Sequence, residues 1–357
     1  MLPTAVETPV CREPLTGAGA WTGADAQARE GGFITVLSPA EVDELGSALA
    51  HFRSTGKDLL AMGPDDFPLA VLRHRLEELR REVTVGRGYV ILRGLPNGDG
   101  MSEEDLKVVH WALSRHLGRP VPQNSRGHLL GHVIAKQHSA AQRRSYESTV
   151  AQVYHSDGSD IVGLLCVRQA KAGGDSTIAS SVTIHNVMLR DRPDLLERLY
   201  RTYQHSRMGE EIPGQAPYYP CPVYTYVDGY LNCRPGTSYI KDAQRFEEVP
   251  RLTDTDTEAL EWWKSVPLRP GIALHYRLQP GDIQFLNNYT VVHGRSQYED
   301  HDDPARRRYL VRILSRVEQP RVFTPELEAR RDGIPLGPGT EPNIGLDPDA
   351  EDVQPEV

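Results

Sequence analysis

The stretch Tyr154-His155-Ser156-Asp157-Gly158-Ser159-Asp160 sets an imidazole and a carboxylate two residues apart. In an extended chain successive side chains alternate between faces, so positions 155 and 157 project to the same side. Two donors converging on one point suit a metal, but two hold a divalent ion only weakly. His293, in Leu286-Asn287-Asn288-Tyr289-Thr290-Val291-Val292-His293-Gly294-Arg295, is the best candidate for a third. Two histidines and one carboxylate on one side of an ion leave the opposite coordination positions open, as in the facial triad of non-haem Fe(II) sites.

A histidine near a carboxylate is also an ordinary hydrogen-bonded pair in many proteins, so the rest of the chain has to decide. It has 357 residues, 39% of them hydrophobic and 25% charged, the balance of a globular chain. The net charge of −9 argues against a nucleic-acid backbone as partner. No run approaches the roughly 18 apolar residues of a membrane span. Met1-Leu2-Pro3-Thr4-Ala5 lacks the basic and apolar regions of a signal peptide. Cys11, Cys166, Cys221 and Cys233 show no C-x-x-C spacing and read as free thiols. The expectation is a cytoplasmic protein acting on a small molecule, without nucleic acid or membrane; a homo-oligomer is left open.

Residues 1–32 lack sustained periodicity and are expected to wrap the surface. Ser38-Pro39-Ala40-Glu41 is a capping box with proline at the first helical position, ahead of a stripe of Val42, Leu45, Leu49 and Phe52. A second amphipathic helix is expected over residues 68–83 and a third from Ser102 to Gly118. Gly88-Tyr89-Val90-Ile91-Leu92-Arg93-Gly94 reads as a strand. Further strands are expected over 163–167, 176–181, 223–230, 231–234, 271–276, 282–287, 290–293 and 309–314. The pair around Asp228-Gly229 forms a hairpin, and helices cover 184–202 and 253–265. Helices at the front and short strands behind suggest a mainly β fold with helical decoration (α+β), a barrel-like double sheet. Residues 1–85 read as an N-terminal extension and helices, 86–317 as the core, and 318–357 as a partly disordered acidic tail.

In Arg308-Tyr309-Leu310-Val311-Arg312 the two arginines share one face of a strand. A guanidinium buried there is costly unless it meets an anion, and its fork matches a carboxylate. The alternative for these arginines is solvation, or pairing with Asp300, Asp302 or Asp303; for Arg306 and Arg307 that is the preferred reading.

The succession H-S-D-G-S-D, G-L-L-C-V-R-Q-A-K-A-G-G-D-S, P-G-D-I-Q-F-L-N-N-Y-T-V-V-H-G-R and R-Y-L-V-R resembles the TauD/TfdA family. Its clavaminate-synthase-like branch is close, and the resemblance spans about residues 86–316. It implies a double-stranded β-helix, or jelly roll, with iron at its mouth. His155, Asp157 and His293 then match the Fe(II) ligands, and Arg308 the arginine that binds the distal carboxylate of the cosubstrate 2-oxoglutarate. Ser176 stands where relatives often place a threonine hydroxyl on that carboxylate, with Thr177 beside it as the other candidate. Arg312 matches a position that in several members holds an acidic group of the prime substrate, with a structural role as the alternative. The implied reaction is oxidative decarboxylation of 2-oxoglutarate by O₂ to succinate and CO₂, coupled to hydroxylation of an unactivated C–H bond. Desaturation, epoxidation and ring formation share the same iron ligands. Halogenating relatives replace the carboxylate ligand, and Asp157 keeps it.

Asn124, Tyr154 and Arg234 are further candidate substrate contacts, as are Gln123, Asn232 and Tyr298. Asp160 either supports a metal histidine or ends its turn. A ligand-binding jelly roll without turnover is the reading from another class; an intact triad together with Arg308 argues against it.

Overall fold

The computed structural model describes residues 8–29, 32–98, 100–135 and 148–345. In chain order its strands are β1 (Thr35–Val36), β2 (Tyr89–Arg93), β3 (Arg119–Pro120), β4 (Leu130–Ile134), β5 (Gln152–His155), β6 (Ile161–Arg168), β7 (Ala172–Gly173) and β8 (Ser176–Ser180). There follow β9 (Thr202–Ser206), β10 (Tyr218–Pro222), β11 (Tyr224–Val227), β12 (Tyr230–Cys233), β13 (Leu274–Tyr276), β14 (Ile283–Asn287), β15 (Val291–Arg295), β16 (Tyr298–Glu299) and β17 (Tyr309–Arg316). A major sheet runs β1-β2-β14-β6-β17-β3, with β4 also paired to β17, and a minor sheet runs β13-β8-β15-β5. Apart from the parallel pair β1–β2, neighbours in both sheets are antiparallel.

The two sheets face each other across one apolar layer. Tyr89, Ile91, Val162, Leu286, Leu310 and Leu314 of the major sheet pack there with Ile178, Leu274, Tyr276 and Val291 of the minor sheet. Strand pleating sends the intervening residues outward. Val90, Leu92, Leu165, Phe285, Val311 and Ile313 meet helices on the far side of the major sheet, while Tyr154, Ala179 and Val292 meet those behind the minor sheet. This is a jelly roll with helices on both outer faces, in line with the expected fold class.

The helices against the major sheet are α2 (Pro39–Thr55), α3 (Leu72–Thr84) and α4 (Glu103–Leu117), following a short α1 (Gly23–Ala28). Ser38 and Glu41 close the expected capping box, and Gly56 ends α2 in a left-handed turn with φ 66°. α3 starts four residues later than the periodicity suggests. The carboxylate of Glu44, from α2, accepts the backbone N–H groups of Ala70, Val71 and Leu72, capping α3 from a neighbouring helix. Residues 8–29 do wrap the surface, but Trp21 inserts between the sheets, edge-on to Tyr89 at 4.9 Å between ring centres.

Between β8 and β13 the chain adds α5 (Ser181–Asp191), α6 (Pro193–Arg198), the hairpins β9–β10 and β11–β12, α7 (Thr237–Ala243) and α8 (Asp254–Ser265). Asp228 and Gly229 both adopt positive φ, 46° and 82°, as the two-residue hairpin turn requires. The segment after Val317, read from composition as a partly disordered tail, is packed through Gly345. Arg331 reaches inward to make paired bonds with buried Asp160, both at 2.8 Å. Residues 346–357 lie outside the described residues.

Candidate metal centre and its pocket

β5 and β15 are adjacent and antiparallel, and His155 and His293 are direct partners in their register. Opposed residues of such a pair share a face, and here the ring centres are 4.2 Å apart. β5 ends at His155, so Asp157 is placed by a turn rather than by strand pleating. Its backbone N–H donates to Asn288 Oδ1 at 3.0 Å, and the Asn288 N–H donates to the Asp160 carbonyl at 2.9 Å. The β14–β15 turn thus holds the 157–160 turn. One donor atom each from His155, Asp157 and His293 falls within a 4.8 Å cluster, the only such trio of metal-ligating groups among the described residues.

The remaining bonds of these side chains fix one tautomer and hold one carboxylate oxygen. His155 Nδ1 donates to the Val153 carbonyl at 2.9 Å, which keeps the proton on Nδ1 and the lone pair on Nε2. Asp157 Oδ1 accepts from Arg312 Nη1 at 3.0 Å, whereas Oδ2 is buried without a partner and lies 3.6 Å from His293 Nε2. An orphaned carboxylate oxygen facing two imidazoles is costly unless a cation takes it. Two nitrogens and one oxygen, with no fourth metal-ligating His, Cys or carboxylate grouped with them among the described residues, fit Fe(II).

Electrostatics favour the ligating forms. Burial pushes His293 down to about 3, with His155 adding to the effect. Burial also lowers His155, partly offset by Asp157. For Asp157, burial works upward, but Arg312 and then both histidines outweigh it and hold the carboxyl below its ordinary value. Neutral imidazoles and an ionised carboxylate are the forms that bind metal.

Pleating sorts the other candidates. Arg308, Leu310, Arg312 and Leu314 alternate onto the inner face, so both arginines point between the sheets. Arg312 is fixed by Asp157 and by Gln123, whose Oε1 accepts from its Nε at 2.8 Å. Arg308 is 5% exposed, and Asp300 takes its backbone N–H at 2.7 Å rather than its guanidinium. Its Nη1 is buried without a partner, its guanidinium lies 5.3 Å over the Tyr298 ring, and burial lowers its pKa.

Ser176 is opposite inward-facing Arg295 and Tyr276, and lines one small cavity with Arg308, Gly173 and Gly174. Gly174, at φ 75°, lets the backbone pass close to Arg308: a Cβ there would sit 3.2 Å from Nε. Thr177 and Tyr154 project to the opposite face, where their hydroxyls bond each other at 2.6 Å. The structure therefore brings Ser176, Arg308 and Arg312 to the triad's side and does not bring Thr177 or Tyr154 there. Asn124 accepts the N–H groups of Arg126 and His128 and so caps its own turn. Arg234 does reach the site, its Nη1 donating to the Asp157 carbonyl.

Some supports escape sequence reading. Asn288 falls in a match to a glycosylation sequon, yet its signal was its place in a tight turn between the strands carrying the site. Gln152 Nε2 stands 3.2 Å from His155 Nε2, and nothing local marked it.

The sequence profile of the taurine catabolism dioxygenase TauD, TfdA family matches residues 53–314. FR-33289 synthase of Streptomyces rubellomurinus is 28% identical, over 91% of this chain and 97% of its own length. The taurine hydroxylase-like protein SAT17 of Stachybotrys chartarum is 27% identical, over 83% and 78%. Among solved structures, asparagine oxygenase with Fe(II), 2S,3S-3-hydroxyasparagine and succinate superposes with a TM-score of 0.63 at 17% identity, over 79% of this chain and 93% of that one. The non-haem iron oxygenase OrfP with iron and alpha-ketoglutaric acid gives 0.57 at 16%, over 78% and 92%. The chain belongs to the TauD/TfdA family of Fe(II)- and 2-oxoglutarate-dependent dioxygenases.

Proposed function

We propose that this dioxygenase hydroxylates an unactivated C–H bond of a small carboxylate-bearing molecule, an amino acid or a specialised-metabolite intermediate, while 2-oxoglutarate becomes succinate and CO₂. One observation carries the reading: a metal-ready trio and a buried guanidinium with no carboxylate partner among the described residues share the inner face. His155, Asp157 and His293 hold the iron, which when bound supplies the activation of O₂. Arg308 and the Ser176 hydroxyl hold the distal carboxylate of 2-oxoglutarate. Arg312 orients Asp157 so that a single oxygen faces the metal. The apolar layer around Leu310, Leu314, Ile178 and Val291 excludes water from the reacting centre.

The small-substrate reading is supported by the hydroxylated amino acids in two related structures, hydroxyasparagine in asparagine oxygenase and (3S)-hydroxy-L-Arg in OrfP. Four unpaired, buried cysteines fit the reducing cytoplasm assigned from the sequence. The test is mass analysis of products from a panel of amino acids and metabolite extracts with Fe(II) and 2-oxoglutarate. Gain of one oxygen supports hydroxylation, whereas loss of two hydrogens with no oxygen gained replaces it with desaturation or ring closure.

A further inference from the structure

Arg234 is 9% exposed and follows β12 directly. Its guanidinium spans the metal loop: Nη1 bonds the Asp157 carbonyl, and Nη2 lies 3.7 Å from where a Cβ of Gly158 would stand. A guanidinium has five N–H donors, and among the described residues only Nη1 has a protein acceptor. The Asp157 carboxylate feels this charge but makes no ion pair with it, because one of its oxygens is held by Arg312 and the other faces the iron position.

Further positive charge gathers on the same flank. Gly236, two residues on, abuts His205 so closely that a Cβ would fall 2.4 Å from its ring. His205 stacks on its cross-strand partner Tyr219, with ring centres 5.3 Å apart. Over the Tyr219 ring lie two more guanidiniums, Arg330 at 3.7 Å and Arg207 at 5.1 Å. Arg330 Nε is buried without a partner, and Arg207 Nε bonds only the Ala216 carbonyl at 3.0 Å. None of the three forms an ion pair with a carboxylate among the described residues. Arg234 and Arg330 both lower His205, whose burial already depresses it to about 3. Glu211 and Glu326 lie on this flank without closing an ion pair on any of the three, and guanidiniums clustered beside a catalytic centre are unfavourable unless an anion joins them.

We propose that Arg234, together with Arg330 and Arg207, binds an oxyanion of the prime substrate beside the iron. The oxidised molecule then carries a carboxylate, sulfonate or phosphonate that is read by the β9–β12 insert rather than by Arg312. This rests on the oxygenase reading of the site and specifies its substrate.

The test uses full-length protein loaded anaerobically with Fe(II) and saturating 2-oxoglutarate, whose chelate gives a visible charge-transfer band. Calorimetric titration with acetate, methanesulfonate, methylphosphonate and neutral acetamide measures binding, while the band reports 2-oxoglutarate separately. Wild type is expected to bind at least one oxyanion and not acetamide, with the band kept. Arg234→Gln is expected to weaken that binding by roughly tenfold to a hundredfold, the loss typical of a charge-assisted pair. Arg330→Gln is expected to weaken it by a smaller factor, and decides the matter if Arg234→Gln does not fold. Equal binding in wild type and both variants overturns the proposal, as does acetamide binding as well as the anions. Loss of the band on adding the probe also overturns it, since the anion has then taken the Arg308 site. A wild type that never forms the band fails the oxygenase reading instead.

Discussion

Arg308 keeps a full positive charge between two sheets, and no carboxylate among the described residues pairs with it. On the proposed function, that charge is matched by the far end of 2-oxoglutarate. Replacing it with glutamine is expected to raise the KM for 2-oxoglutarate by about 100-fold, the effect of removing one partner from a buried hydrogen-bonded charge pair. The neighbouring hydroxyls give a finer test. Ser176→Ala is expected to raise the same KM several-fold, whereas Thr177→Ala is expected to leave it alone and to cost about 1 kcal/mol of stability through the lost bond to Tyr154. Saturation kinetics paired with denaturant melts separate the two, and a KM effect at Thr177 with none at Ser176 would reverse the assignment. The sequence left this choice open because adjacent positions look equally near in one dimension. Strand register separates the two in space, since Ser176 is opposite Arg295 on the inner face and Thr177 is not. Tyr154 differs in the same way: next to His155 in sequence, it packs behind the minor sheet and bonds Thr177.

At the scale of elements, the 155–160 loop of the candidate metal centre is held by pieces far apart in the chain. Asn288 binds the Asp157 N–H, and Asp160 is clamped by Arg331, the Val317 N–H and, at 3.3 Å, the Tyr289 hydroxyl. Asn288→Ala is expected to weaken Fe(II) binding by about 10- to 100-fold, as loss of a group that orients a metal ligand does, with secondary structure unchanged by circular dichroism. Arg331→Leu leaves a buried carboxylate without its cation and is expected to cost about 3–5 kcal/mol in denaturant unfolding. A melt within error of wild type would show that residues 318–345 merely lie against the core. Strands and helices with strong alternation or capping boxes, such as β2, β6, β17, α2 and α4, were legible from the sequence. The very short β3, β7 and β16 were not, because their pairing is supplied by partners distant in the chain. α3 was read too long because its cap, Glu44, belongs to another helix.

Across the whole molecule, several histidines are buried in their neutral form. Burial takes His110 and His205 down to about 3 and His185 to about 4, against an ordinary 6.5. Between those values the unfolded chain binds protons that the folded chain refuses, so stability falls as pH drops from about 6.5 toward 3. Metal-free protein is expected to melt at steadily lower temperature at pH of about 7, 6 and 5, and replacing His110 by an apolar residue of similar volume should flatten that trend. A melting temperature independent of pH over this range would contradict the assignment of these groups as neutral and buried.

The most direct test of the central claim is succinate formation with oxygen uptake by anaerobically purified protein given Fe(II), 2-oxoglutarate and ascorbate. Wild type is run beside His155→Ala and Arg308→Gln, with iron and 2-oxoglutarate binding followed through the charge-transfer band. The expected result is turnover in wild type, no iron binding in His155→Ala, and iron binding with the band restored only at much higher 2-oxoglutarate in Arg308→Gln. Wild-type protein that binds neither iron nor 2-oxoglutarate, or His155→Ala that turns over like wild type, would contradict it.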